Sequence, residues 1–505
     1  MSDVSGRPRL GFTTKVSYGL GSVAQGVGTV ALSTSIINFY LIRVIGLRPA
    51  VVGVVILISL VIDAVLDPAI GRMSDTFRSR LGRRHPFMYA SALPIALAII
   101  FLWRHPAGLP VADMPVYVLA MLIVLRLAGG LYQIPSDALV PELAPDYHER
   151  TGVISYRWFF GVVGAAVMQF TLLAVFLRKD AAHPLGQLDP KAYADFGVMA
   201  AIIVFVSIII SALATQRYIP FLKQAPERKL TFAQTMREII ATLSNRSLLV
   251  VMVSGLVSGV AGGVGASLSS FMSFYFWGLA PQTLAYIGAF TAPATIVGIV
   301  MAPLVTRVMD KKRTMLTVFF LSIFAGVVPT ALRLLGVLPP NGSPLIPLIL
   351  VVDGVFTATL GIMGFIIIGS MIADVAEDAA VRTGVRSEGL LFAANGLLPK
   401  ITGGIGGLIG NLMLEAVHIP MGVAAGASDV ISPDVMRHLV LLSLPVGVVL
   451  NVVAVSVLFL YRIDKSTHEA NLEALNLAAR VTEPPNVLAT VPESGVAAGV
   501  PPIVS

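Results

Sequence analysis

Apolar residues run through this chain in long blocks cut by short charged or Pro/Gly-rich breaks, a pattern that predicts twelve membrane-spanning helices. In the first half the blocks cover about residues 16–42, 50–72, 87–104, 114–140, 152–177 and 194–216. In the second half they cover about 248–278, 283–306, 314–336, 344–373, 389–416 and 437–461. Between the two sets lies a polar, basic stretch, 217–247, with Arg217, Lys223, Arg228, Lys229, Arg237 and Arg246. Its Thr231–Thr242 segment is amphipathic enough to lie along a membrane surface. Six spans, a long loop and six more is the outline of two helical bundles joined by a connector. The expected division is a bundle over 1–216, a cytoplasmic connector over 217–247 and a second bundle over 248–461. The tail, 462–505, is Ala/Pro/Val/Glu-rich with little periodicity and reads as disordered.

Composition agrees with that pattern. Of 505 residues, 56% are hydrophobic and only 12% charged, with a mean hydropathy of +0.85, whereas soluble domains carry about 25% charged residues. Cysteine is absent, which excludes disulfides, thiol catalysis, iron–sulfur clusters and thiolate zinc sites. The polar N-terminus, Met1 to Lys15, has no apolar core of the kind a cleaved signal peptide needs. The net charge of +7 is spread over loops and not gathered on one patch, so it does not indicate nucleic-acid binding. With the N-terminus inside, about 24 of the 35 Lys and Arg fall on inside segments and about 8 outside, which predicts that both termini are cytoplasmic. The seven His are scattered and no Ser/His/Asp set, metal cluster or phosphate-cradling Gly-x4-Gly-Lys-Ser/Thr occurs, so an enzyme is not expected. Cofactors are not expected either.

Charges inside the spans carry the functional information. Asp63 and Asp67 stand four residues apart in the apolar run from about Ala50 to Gly71, on one face of one helix. One Asp at bilayer depth costs roughly 2.5–3.5 kcal/mol on insertion scales, so a pair is expected to face a polar cavity. Two acidic oxygens there suit a desolvated Na⁺, Li⁺ or H⁺. Arg126, Gln133 and Asp137 share one face of the fourth span, with Tyr132 beside them. Arg157 and Lys400 lie within the fifth and eleventh spans, and Asp353 near one end of the tenth, outside the expected site. Asp63, Asp67 and Asp137 against Arg126, Arg157 and Lys400 balance at three charges each, so they can pair and exchange partners as a cation binds. Arg126 is equally readable as a structural counter-ion of Asp63 or Asp67. Gly255, Gly259, Gly263 and the run Gly403, Gly404, Gly406, Gly407, Gly410 allow close helix contact.

Several stretches resemble the melibiose-permease-like proteins of the major facilitator superfamily, the glycoside–pentoside–hexuronide:cation symporter family. They are Thr13 to Gly19, Asp63 to Asp75, Arg78 to Phe87, Ile134-Pro135 through Leu143, His148 through Arg157, and Met371 through Glu388, with Lys400. The resemblance extends to about Arg462. It implies an all-α membrane protein with twelve transmembrane helices in two six-helix bundles, the major facilitator fold, working by alternating access. It also implies a cation-coupling role for Asp63 and Asp67, and cavity roles for Arg157 and Lys400. Asp75, Arg83, Arg84, Asp374, Glu377, Arg386 and Glu388 resemble a cytoplasmic network that latches the two bundles together in one state.

The departures concern cargo. Where sugar carriers of the family have a first-span acidic residue this chain has Gly26, beside Gln25, and the fourth-span sugar-binding acid falls on Gln133. The aromatic that follows falls on Asp137, and the polar residue between the two cation-site carboxylates is Leu66. The expected activity is symport of a small organic solute, sugars and glycosides included, coupled to Na⁺ or H⁺. Cargo would contact Gln25, Arg126, Tyr132, Gln133, Asp137, Arg157 and Lys400. The expected partners are that solute, the coupling cation and membrane lipid, for a monomer in the bacterial inner membrane. Alternatives are flipping or efflux of an amphiphile such as a lysolipid, drug-type efflux, and a sensor that binds without transporting.

Overall fold

The computed structural model describes residues 10–106, 108–179, 186–222, 246–383, 388–422 and 431–461, with backbone alone at 147 and over 246–247, 376–383 and 388–397. The amphipathic segment expected at Thr231–Thr242 and the tail after Arg462 lie outside the described residues. Among the described residues, eleven helices are long and apolar enough to cross a membrane: α1 Phe12–Val44, α2 Pro49–Thr76, α3 His85–Trp103, α4 Met114–Leu143, α5 His148–Phe176, α6 Pro190–Gln216, α7 Leu248–Phe276, α8 Pro281–Val308, α9 Lys311–Leu334, α10 Leu345–Val375 and α12 Pro433–Leu458. A further helix, α11, Glu388–Ala416, falls where the eleventh span is expected.

Local chemistry sets where these helices begin. Pro49, Pro190, Pro281 and Pro433 open α2, α6, α8 and α12, where a missing N–H has no helical partner to lose. Asp146 caps α5 by accepting from the Glu149 N–H at 2.9 Å, and Asp310 caps α9 from Arg313 at 2.7 Å. Three helices end in a π turn: Tyr40–Val44 in α1, Leu172–Phe176 in α5 and Met272–Phe276 in α7.

The helices pair in a pattern that repeats. In the first half α1 packs on α5 and α6, α3 on α4 and α6, and α2 on α4. In the second half α7 packs on α11 and α12, α9 on α10 and α12, and α8 on α10. Adding six to each number of the first set gives the second, as two copies of one supersecondary unit should. Across the halves the contacts are reciprocal, α2 against α11 and α8 against α5, with α1 meeting α7.

The cross-half contacts concentrate toward the face opposite the chain ends. There Phe39 packs among Phe271, Phe274 and Tyr275, and Ser35 shares a hydrogen bond with Ser270 at 2.5 Å. Buried Arg43 of α1 donates to the Tyr275 hydroxyl at 3.1 Å and to the Pro420 carbonyl at 2.5 Å. Arg48 pairs with Glu415, whose second oxygen accepts from the Ala50 N–H at 2.8 Å. From that point α2 and α11 run antiparallel down the molecule. A Cβ on Gly53 would stand 3.0 Å from Asn411, and one on Gly404 2.9 Å from Leu57. Glycine at these positions lets the two backbones approach.

Candidate functional site

Two groups of charged side chains lie within the span region. The first is built on α2. Asp63 is fourteen residues past Pro49 and Asp67 four further on, about 21 and 27 Å along a helix about 42 Å long. Lys400 reaches both from α11 in the other half, with Nζ 2.8 Å from Asp63 Oδ2 and 2.5 Å from Asp67 Oδ2. Arg126 of α4 places Nη1 3.8 Å from the same Asp63 oxygen, while its Nε donates to Ser59 Oγ at 3.1 Å. Two carboxylates thus face two cations, each of which would carry a penalty of several kcal/mol if left alone in a low-dielectric interior. The Asp63 side chain is only 10% exposed, but Lys400 is 33% exposed, so the cluster can be approached from one side. Pro68 follows at once. Having no N–H, it cannot donate to the Ala64 carbonyl, and an oxygen on the Asp63–Asp67 turn is left without its helical partner. Carboxylate and carbonyl oxygens on one turn are ligands of the kind a hard cation takes.

The second group lies within the first half. Arg157 of α5 forms an ion pair with Asp137 of α4 and donates to the Tyr18 hydroxyl at 2.7 Å, the Ser136 carbonyl at 2.9 Å and Ser136 Oγ at 3.1 Å. Its guanidinium stands 5.1 Å from the centre of the Tyr18 ring, and Tyr18 donates to the same Ser136 carbonyl. Arg157 is therefore well supplied with partners. Asp137 keeps half its side-chain surface exposed, and Gln133, one turn away, is exposed, as is Gln25 on α1.

The charges that the sequence gathers into one cavity form ion pairs in two sets. Asp63, Asp67, Arg126 and Lys400 come together, and so do Asp137 and Arg157, but in separate clusters. Tyr132 requires a correction. It is 5% exposed, with its hydroxyl against Gly21 and Ser211 between α1 and α6, and it has no free face for cargo. One residue along a helix turns the side chain by about 100°, which takes Tyr132 off the Gln133 face. Gly26 gives way to no side chain at all, since a Cβ there would stand 2.3 Å from the Gly161 carbonyl oxygen. Asp353 lies eight residues into α10, half-buried, in neither cluster.

Of the charges expected in the cytoplasmic network, four have described side chains. Arg83 and Arg84 both pair with Glu142, Arg84 at 2.5 Å, and Arg84 lies 3.3 Å from Asp75. Burial pulls the Arg84 guanidinium below its ordinary pKa, with Glu142 opposing the shift. Lys311 holds Asp374 at 2.7 Å. The pairs made by Arg83, Arg84 and Lys311 stay within one half, so a latch between bundles is not formed by them. The side chains of Glu377, Arg386 and Glu388 lie outside the described residues. Sequence reasoning missed Ser59, Ser136 and the Arg48–Glu415 contact across the halves. Only the positions of Arg48 and Glu415 at span ends facing the same side hinted at the last.

A cavity of about 710 Å³ lies nearer the face opposite the chain ends, lined by Ser35, Phe39, Phe170, Tyr193, Ser270 and Ser273 among others. None of the residues of either charge cluster lines it.

A family model described as MFS/sugar transport protein matches residues 17–465. The chain belongs to this family. As an MFS transporter it is a multi-pass membrane protein and not an enzyme. Among its relatives is an uncharacterized symporter of Synechocystis sp., sll1374, 31% identical over 224 residues, a match that covers 43% of this chain and only 39% of that protein. The isoprimeverose transporter of Lactiplantibacillus pentosus is 24% identical, with 80% of each chain covered. Among solved structures, a bacterial homologue of the human lysosomal transporter Spinster superposes with a TM-score of 0.62 at 12% identity, covering 92% of this chain and 97% of that one. At that identity the likeness speaks for the fold alone.

Proposed function

We propose that this MFS transporter is a symporter that couples entry of a small hydroxylated organic solute to Na⁺ or H⁺ bound at Asp63 and Asp67. Its bundles would be 1–216 and 248–461, joined by the connector 217–247, in a bacterial inner membrane with both termini cytoplasmic. One observation carries the reading: the cation now on Asp63 and Asp67 is Lys400, and it belongs to the other half of the molecule. A cation that binds the two carboxylates takes over the charge Lys400 supplies, and so loosens a contact that ties the halves together. Binding and rocking are then linked, because a ligand shifts a conformational equilibrium by its differential affinity for the two states. The names of the relatives, symporter and isoprimeverose transporter, support cation coupling and a solute rich in hydroxyls.

A direct test follows the thermal stability of the purified protein in K⁺, Na⁺, Li⁺ and at acid pH. Na⁺, Li⁺ or acid is expected to shift the melting temperature of the wild type but not of Asp63→Asn/Asp67→Asn. A double mutant that responds to these cations as the wild type does would remove the assignment.

A further inference from the structure

We propose that the cargo is a small organic anion and that Arg126 holds its negative charge, an inference that rests on the symport reading above. The α2 cluster is neutral as it stands, with Asp63 and Asp67 set against Lys400 and Arg126. Adding a coupling cation leaves one positive charge in surplus. A lone charge in this interior is costly, so a cargo bringing one negative charge restores the balance and a neutral cargo does not.

Arg126 has the geometry to receive it. A guanidinium carries five N–H donors. On Arg126 one is used on Ser59, and the nearest carboxylate, at 3.8 Å, is beyond hydrogen-bond length. Among the described residues its other donors have no hydrogen-bond partner. That fork matches the paired oxygens of a carboxylate, sulfonate or phosphate. Arg157 cannot serve in the same way, because Tyr18, Ser136 and Asp137 already occupy it.

The carboxylate nearest Arg126, Asp63 at 3.8 Å, is one that the coupling cation would neutralise. The α4 face that carries Arg126 has Gln133 seven residues on, and Asp137 beyond it is already paired with Arg157. On α1, position 26 has no room for an acidic side chain. Asp353, the remaining deep carboxylate, stands on α10 in neither cluster. Lys400, one-third exposed, supplies the second positive group once the cation has displaced it.

The test uses the full-length purified protein and matched probes: glucuronate against glucose, gluconate against sorbitol, and 2,3-dihydroxypropane-1-sulfonate against glycerol. Each is titrated at millimolar concentration in K⁺ and in the cation that stabilises the protein, by thermal shift and calorimetry. At least one anion is expected to bind, its neutral counterpart to bind weakly, and Arg126→Gln to weaken the anion by about tenfold or more. Arg126→Lys should recover part of that loss, since it returns the charge without the fork. Arg126→Gln should answer the coupling cation more strongly than the wild type, because Asp63 has lost a competing charge, and this also shows that the variant is folded. Binding of a neutral probe that Arg126→Gln leaves unchanged would overturn the proposal, and so would a wild type that no anion shifts. Anion binding that needs Arg126 but ignores the cation would keep this inference and sink symport. Cation-dependent binding of a neutral sugar would do the reverse.

Discussion

The two charge clusters use the same residue types and differ in one respect: where their partners are anchored. Arg157, Tyr18, Ser136 and Asp137 all come from helices of the first half. Lys400 meets Asp63 and Asp67 from the second half. A pair whose members ride on one rigid body survives any rocking of the halves and contributes stability in every state. A pair shared between two bodies must be remade or replaced whenever they move apart. The lesson is that intramembrane charge does not by itself mark a moving part, and the identity of the anchoring helices does.

The comparison breaks first at Asp63 and Asp67. In vesicles carrying Asp63→Asn/Asp67→Asn, gradient-driven accumulation is expected to fall to the background of empty vesicles, and accumulation at the wild-type level would end the case for coupling here. Next comes Lys400→Met. It removes the partner of two carboxylates and should destabilise the protein by about 2–3 kcal/mol, at the low side for buried pairs because the lysine is one-third exposed. The same variant should respond to cations at lower concentration, since its internal competitor is gone; an unchanged midpoint of the titration would contradict that account.

Arg157→Met sharpens the contrast. Tyr18, Ser136 and Asp137 lose their donor, and a stability loss of about 2–4 kcal/mol is expected with the cation midpoint unmoved. A shifted midpoint would mean that the two clusters communicate. The smallest effect belongs to Glu415→Gln. Arg48 is well exposed, so the pair contributes at most about 1 kcal/mol to holding that face shut. Because the chain has no cysteine, Ser35→Cys and Ser270→Cys can be introduced on a clean background. Their cross-linking should slow by up to about fivefold when Glu415→Gln is added, the factor that 1 kcal/mol represents. No change in rate would show that the apolar contacts around Phe39 close the face alone.

Much of this was legible in the sequence. The apolar blocks place the long described helices to within a few residues, except that the tenth runs on to Thr383, because bilayer thickness and backbone satisfaction leave little freedom in length or type. The Asp63/Asp67 pair was legible for a similar reason, since its cost inside a membrane demands a purpose. Helical spacing also grouped Arg126, Gln133 and Asp137. It could not tell which neighbouring helix each would meet. That depends on approach distances set by residues such as Gly404 against Leu57, and on turns of about 100° that send Tyr132 into the bundle and leave Gln133 exposed. Complementary signs at the chain-end face suggest a latch, but they do not tell that Arg83 and Arg84 meet Glu142 of their own half in this state.

The antiparallel run of α2 and α11 puts Lys400 and the Arg48–Glu415 contact on one rigid helix. Fifteen residues separate Lys400 from Glu415, a lever arm of about 22 Å. Once Lys400 is released, a tilt of α11 by about 10° over that length would part Arg48 from Glu415 by about 4 Å. On the coupling proposed above, exchange of a small ion at the centre would govern an aperture at the rim whose width scales with how far along α11 the lysine is placed.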